Sequence, residues 1–136
     1  MAHWLMKSEP SSWSWDQQVG AGDKGTFWNG VRNHLAKKHL KEMKVGEEAF
    51  FYHSGEEKAV IGIVEITKAY YPDPSDKTGV FGMVDVKAVK PLAKPVTLHE
   101  IKSDPRLKDM VLVKSSRLSV QPVTDAEWKT VLALAK

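Results

Sequence analysis

Glu48-Ala49-Phe50-Phe51-Tyr52-His53-Ser54-Gly55-Glu56-Glu57-Lys58-Ala59-Val60-Ile61-Gly62-Ile63-Val64 is the stretch whose reading decides the fold. Phe, Tyr, Val and Ile suit a pleated, half-buried surface, so strands are expected over 48–53 and 59–68. The polar tip Ser54-Gly55-Glu56-Glu57 joins them as a hairpin. Val60 to Val64 is apolar on both faces, which requires cover on both sides, inside a barrel or against helices. Gly62 within that run marks a bend or a close approach of a neighbour.

Upstream, His3 to Lys7 reads as another strand, with Trp4 and Met6 on one face and His3, Leu5 and Lys7 on the other. It is too apolar for an edge. Ser14-Trp15-Asp16-Gln17 has the form of a capping box that opens a short helix. Gly20 to Gly25 lacks the spacing of a phosphate-cradling loop and reads as a connector. From Asn33 to Lys44, Ala36, Leu40 and Met43 form the buried stripe of a helix that stops at Gly46.

Downstream, the prolines of Tyr70-Tyr71-Pro72-Asp73-Pro74 predict irregular chain. A strand is expected from Val80 to Lys90, and Thr97-Leu98-His99-Glu100 is a second capping box, whose helix must end before Asp104-Pro105. Val111 to Val113 and Arg117 to Gln121 read as short strands. Thr124-Asp125-Ala126-Glu127 opens a terminal helix with Trp128, Val131, Leu132 and Ala135 in one stripe, which places Trp128 in the core. The short connections favour antiparallel pairing. The expected class is α+β, a small mixed β-barrel with helices packed around it.

A chain of 136 residues is long enough for one domain and too short for two ordinary ones, and 42% hydrophobic with 27% charged residues is the balance of a water-exposed globule. No stretch has the apolar length of a membrane-spanning helix, and the N-terminus lacks the pattern of a secretory signal. The absence of cysteine excludes thiolate chemistry and disulfides, and the cytoplasm is the expected compartment. A net charge of +3 is compatible with a polyanionic partner without requiring one. Five tryptophans exceed what a core this size needs, so some are expected to line a concave site.

Gly25-Thr26-Phe27-Trp28-Asn29-Gly30-Val31-Arg32-Asn33 brings together a stacking face (Trp28), a bare backbone (Gly30) and directional donors (Arg32, Asn33) suited to a flat ligand. The same residues also read as a core tryptophan before a helix that Asn33 caps. Lys7, Ser8 and Glu9 follow a strand end, as the rim of a site or as an exposed polar turn. Arg32, Lys37, Lys38, Lys41 and Lys44 outnumber Glu42, giving a basic helix face that is either solvated or turned to phosphates. The five histidines at 3, 34, 39, 53 and 99 offer no metal-binding spacing, and no metal or cofactor is expected. A hydrolytic centre using Lys7 as a buried base with Ser8 and Glu9 is the second reading.

Six segments, in order, resemble the EVE domain family. They are Trp4-Leu5-Met6-Lys7-Ser8-Glu9-Pro10, Trp28 with Gly30-Val31-Arg32-Asn33, Met43-Lys44-Val45-Gly46, Phe51-Tyr52-His53-Ser54, Tyr71-Pro72-Asp73-Pro74 and Arg117-Leu118-Ser119-Val120-Gln121-Pro122-Val123. The family is similar in fold to PUA and YTH domains. The resemblance implies one domain over 1–136, a PUA-like mixed β-barrel of five to six strands with flanking short helices, and a pocket for a modified nucleobase in DNA or RNA. It places Trp28, Arg32, Asn33, Tyr52, His53 and Ser54 around that pocket and Lys7, Ser8 and Glu9 on its rim, and it adds Arg117, Ser119 and Gln121 of the C-terminal motif, facing either the base or the core. The function implied is a binding module without catalysis; the alternative is a small hydrolase acting on a modified nucleoside. A monomer is expected.

Overall fold

The computed structural model describes residues 2–136 apart from Asn29, Gly30 and Ser116, and apart from the side chain of Asp23. Its frame is a six-stranded sheet in the order β2-β5-β4-β3-β1-β6. The strands are β1 (His3–Ser8), β2 (Thr26–Trp28), β3 (Glu48–His53), β4 (Ala59–Pro72), β5 (Gly82–Thr97) and β6 (Val120–Val123). β3 and β4 are the expected hairpin. β1 lies inside the sheet, antiparallel to β6 but parallel to β3. That parallel pair departs from the expected antiparallel pattern, and the long excursion from 9 to 47 supplies the crossover such a pair needs.

Several register shifts between β4 and β5 curl the sheet into a half-barrel, because each extra residue on one strand bends it and increases its twist. They also explain why both strands outrun their sequence limits. Pro91 pairs with Gly62 beside the largest shift, where a missing N–H breaks no regular ladder, so β5 continues to Thr97 instead of stopping at Lys90. Pro72 falls at the last rung of β4, opposite Gly82, and Tyr70-Tyr71-Pro72 is strand rather than irregular chain.

Alternation along the strands feeds two cores. One face carries Trp4, Met6, Phe51, Val64 and Val84 against α1 (Trp15–Gly20) and α2 (His34–Glu42). The other carries Leu5, Phe50, Val60 and Ile63 against α3 (Leu98–Ser103), α4 (Val111–Lys114) and α5 (Asp125–Leu134). Trp128 stacks on Phe50 with ring centroids 3.9 Å apart. All three capping boxes close reciprocally, at Ser14/Gln17, Thr97/Glu100 and Thr124/Glu127. Gly62 is a close-approach site: a Cβ there would lie 2.5 Å from the Trp15 ring.

Two short segments differ from expectation near the C-terminus. Val111 to Val113 lies in α4, not in a strand, because the Met110 carbonyl accepts from the Val113 and Lys114 amides and only Leu112 is deeply buried. Tertiary placement overrides the β preference of valine. The last strand begins at Val120 instead of Arg117, since the Gln121 amide turns back to donate to the Leu118 and Ser115 carbonyls and holds that segment as a turn.

Glu47, 5% exposed, holds the start of the chain to β3. Its carboxylate accepts from the Trp4 indole N–H (3.0 Å) and the Lys44 (2.8 Å) and Ala2 (3.0 Å) amides. Burial opposes the charge, but these donors outweigh it and hold the carboxyl below the ordinary glutamate value. A depressed folded pKa stabilises above the unfolded value of about 4.5, and the contribution is lost as pH falls through the folded value. Glu47→Gln is therefore expected to cost about 1–3 kcal/mol at neutral pH. It should also flatten the acid limb of stability below that pH, read by urea unfolding at a series of pH values.

Candidate functional site

β1 ends at Ser8, and the chain then folds back on it. The Glu9 carbonyl accepts from the Ser12 and Trp13 amides, both at 2.9 Å, and the Ser8 hydroxyl donates to the Trp13 carbonyl at 2.5 Å. Trp13 is thereby returned to the strand end. Its indole N–H donates to the Gln18 side chain (2.9 Å), and Gln18, wholly buried, donates in turn to the Val86 carbonyl (3.3 Å). The aromatic wall is tied to the sheet through that chain of bonds.

β2 supplies the facing wall. It pairs with β5 and occupies the end of the sheet, with no strand on its other side among the described residues. Trp28 is 8% exposed and stands edge-on to Phe51, centroids 5.5 Å apart at 86°, while Phe27 is 53% exposed. Between the walls is a cavity of about 410 Å3, lined by Lys7, Ser8, Glu9, Ser12, Trp13, Thr26, Phe27 and Trp28. That lies within the range of about 300–1,000 Å3 usual for small-molecule sites.

A second cavity of about 220 Å3 lies across Lys7, lined by Lys7, Tyr52, Ser54, Gly55, Lys58, Leu98, Lys102 and Leu112. The Lys7 ammonium stands 5.8 Å from the centre of the Tyr52 ring. Burial pushes the Lys7 ammonium below its usual pKa and the Tyr52 phenol up to about 12. Tyr52 is thus neutral at physiological pH, a donor and an apolar surface.

Four of the residues singled out from sequence, Lys7, Ser8, Glu9 and Trp28, meet in the larger cavity. Tyr52 and Ser54 join Lys7 in the smaller one, so the Trp28 indole and the Tyr52 phenol do not form one slot. Arg32 and Asn33 line neither cavity. The Arg32 guanidinium donates to the buried carboxylate of Asp73 (3.2 Å) and to the Ser75 hydroxyl (3.0 Å), and the Asn33 side chain caps α2 by accepting from the Ala36 amide (3.0 Å). His53 accepts at Nε2 from the Trp15 amide (3.0 Å), which leaves its ring proton on Nδ1 to donate to Glu57 at 2.5 Å. Arg117 is exposed, and Ser119 takes part through its carbonyl, which accepts from the Lys7 amide at 2.8 Å. Gly30, expected to give close backbone access, lies outside the described residues.

Ser12, Trp13, Thr26 and Phe27 line the cavity without having been singled out from sequence. For Trp13 the available signal was its place between the strand end and the first capping box; for Phe27 it was adjacency to Trp28. The lysines of α2 line none of these walls, and two of them stand over rings instead, Lys41 at 5.6 Å from Tyr70 and Lys37 at 6.0 Å from Phe81. Among the described residues no group of three acidic or histidine side chains is placed to hold a metal ion, and no helix is long and apolar enough to cross a membrane.

The arrangement can hold a flat ring between aromatic walls, with a cation, a carboxylate and hydroxyls at its edge. The chain is similar in sequence and fold to several known proteins. Human thymocyte nuclear protein 1 is 38% identical over 98% of this chain and 73% of its own length. A protein of Rhodopseudomonas palustris solved by NMR is 58% identical, with a TM-score of 0.94 over 99% of this chain and 93% of that one. Human THYN1 protein, solved in complex with DNA containing 5-methylcytosine, is 37% identical, with a TM-score of 0.92 over 100% of this chain and 98% of that one. The YTH domain of Zygosaccharomyces rouxii MRB1, solved with N6-methyladenosine RNA, is 18% identical over 99% of this chain and 86% of that one; its TM-score of 0.60 makes it a likeness of fold. The profile of the EVE domain matches residues 2–134, and the chain belongs to the EVE domain family.

Proposed function

We infer that this protein is a non-catalytic reader that seats one modified nucleobase of DNA or RNA in the cavity between Trp13, Phe27 and Trp28. The observation that carries the reading is the cavity itself, about 410 Å3 with three aromatic residues in its lining. A relative of the same fold, human THYN1, was solved with DNA containing 5-methylcytosine, which makes that base the first ligand to test. An unstacked base costs a few kcal/mol to extrude, and each aromatic platform returns about 1–3 kcal/mol. Lys7, Ser8 and Glu9 would read the base edge, the carboxylate accepting from an exocyclic amine and the ammonium donating to a ring nitrogen or carbonyl. One domain acting as a monomer, in the cytoplasm, completes the reading; absence of cysteine suits a reducing compartment, although the human relative is named a nuclear protein.

The test is titration of modified and unmodified nucleosides and short oligonucleotides against the protein and Trp13→Ala. Trp13 is only partly buried, but its indole N–H satisfies the wholly buried Gln18 side chain, so its removal is expected to cost about 1–3 kcal/mol of stability and leave the chain folded, while weakening binding about 5- to 150-fold, the equivalent of ~1–3 kcal/mol. A 5-methyl group adds only about 0.8 kcal/mol of burial, so discrimination from unmodified cytosine should be about fourfold. Unchanged affinity in Trp13→Ala would count against the cavity as the site. The hydrolase reading draws on the lowered pKa of Lys7, but the Ser8 hydroxyl already donates its proton to the Trp13 carbonyl and is not poised as a nucleophile. Turnover of a modified nucleoside that Lys7→Ala abolished would favour it.

A further inference from the structure

The smaller cavity across Lys7 has a chemistry of its own. Three lysines line it, Lys7, Lys58 and Lys102, together with the Ser54 hydroxyl and, among the described residues, no carboxylate. Glu9 stands at its boundary with the aromatic cavity, 3.5 Å from the Ser54 hydroxyl and packed against Gly55. Beyond Lys58 and Lys102 the surface changes sign: a third depression of about 330 Å3 adds Glu56 and Glu57 to those same two lysines.

Lys58 carries a second, independent observation. It is the one non-glycine residue with positive φ (46°) among the described residues. A side chain with a Cβ is strained there, and glycine would adopt the conformation freely. The backbone is held by the Leu98 amide, which donates to the Lys58 carbonyl at 2.8 Å. Local strain maintained by its surroundings is a mark of functional positions, and here it presents an ammonium to the groove.

We propose that this groove binds the phosphodiester adjoining the base seated in the aromatic cavity, with Lys58 and Lys102 on the phosphate oxygens and Lys7 between backbone and base. Glu56 and Glu57 end the track by repulsion. The proposal rests on the nucleobase reading and adds to it a polarity: the strand leaves the cavity over Lys7 and not over the basic face of α2.

The experiment measures the affinity of the full chain for a short single-stranded oligonucleotide, unmodified and with one 5-methylcytosine, between about 50 and 200 mM salt. Lys58→Gly and Lys102→Gln are each expected to weaken both oligonucleotides about fivefold to tenfold at the low-salt end and to reduce the slope of log affinity against log salt by ~0.7. Free 5-methylcytidine lacks the phosphate and should bind unchanged. Lys58→Gly should melt at the same temperature or higher, because glycine relieves the strained φ, so lost affinity could not be lost folding. Unchanged slopes in both groove variants, with Trp13→Ala still weakening the same oligonucleotides, would overturn the track and leave the base cavity standing. A slope flattened by Lys38→Gln and Lys41→Gln alone would move the backbone to α2 and also overturn it. No oligonucleotide binding at low salt by the unaltered protein would remove both proposals.

Discussion

Trp28→Ala is expected to abolish measurable nucleobase binding and to destabilise the protein by about 3–5 kcal/mol, the usual range for removing a large buried aromatic side chain. The two effects share one cause. One edge of the indole lines the cavity while the rest packs against Phe51 and the core under α1 and α2. Removing it leaves a void that merges with the cavity, so both the stacking surface and the wall behind it are lost. For a chain of this length the melting temperature should fall roughly 10–20 °C. Trp28→Phe separates the two roles: a smaller ring keeps an edge contact with Phe51, so most stability should return while the shortened platform still binds more weakly. Calorimetry and nucleoside titration on the same samples give both readouts. Full-strength binding by a folded Trp28→Ala protein would place the ligand elsewhere.

Gly25→Ala should be nearly as damaging, although the change is one methyl group and touches no ligand. Gly25 sits at φ 67° and ψ −164°, a region that only glycine enters without strain. A Cβ there would lie 2.3 Å from the Val86 carbonyl oxygen, and backbone cannot swing aside as a flexible side chain can. Strain of about 1–3 kcal/mol and a collision of similar size would act together, and the relief available is to lift β2 off β5. Because β2 carries Thr26, Phe27 and Trp28, the cavity should open as stability falls. Gly79→Ala is the matched control, with nearly the same φ (74°) but nothing within 4 Å of its Cβ, and should cost only about 1–2 kcal/mol. Hydrogen exchange at the amides of β2 would show whether the loss in Gly25→Ala is local.

The contrast between these two positions and Arg32 shows where sequence reasoning reaches its limit. Trp28 and Arg32 lie four residues apart in a segment that resembles a ligand-binding motif, yet only Trp28 lines the cavity. Arg32 spends its donors on Asp73 and Ser75, residues more than forty positions away, and so fastens the turn after β4. No local pattern announces such a partner. Tyr52 and His53 diverge similarly: adjacent in β3, they point to opposite faces, Tyr52 to the lysine-lined groove and His53 to the Trp15 amide.

By itself, the chain of residues determined what local chemistry determines. The hairpin from Glu48, the burial of β1 on both faces, three capping boxes and the apolar stripe of the last helix all follow from periodicities of two or 3.6 and from side-chain oxygens at helix starts. Only the tertiary structure decided the parallel pairing of β1 with β3, the passage of β5 through two prolines, the helix at Val111, and the return of Trp13 to face β2. Each of those depends on contacts between residues far apart in sequence, where burial and the satisfaction of backbone hydrogen bonds outweigh what any short segment prefers on its own.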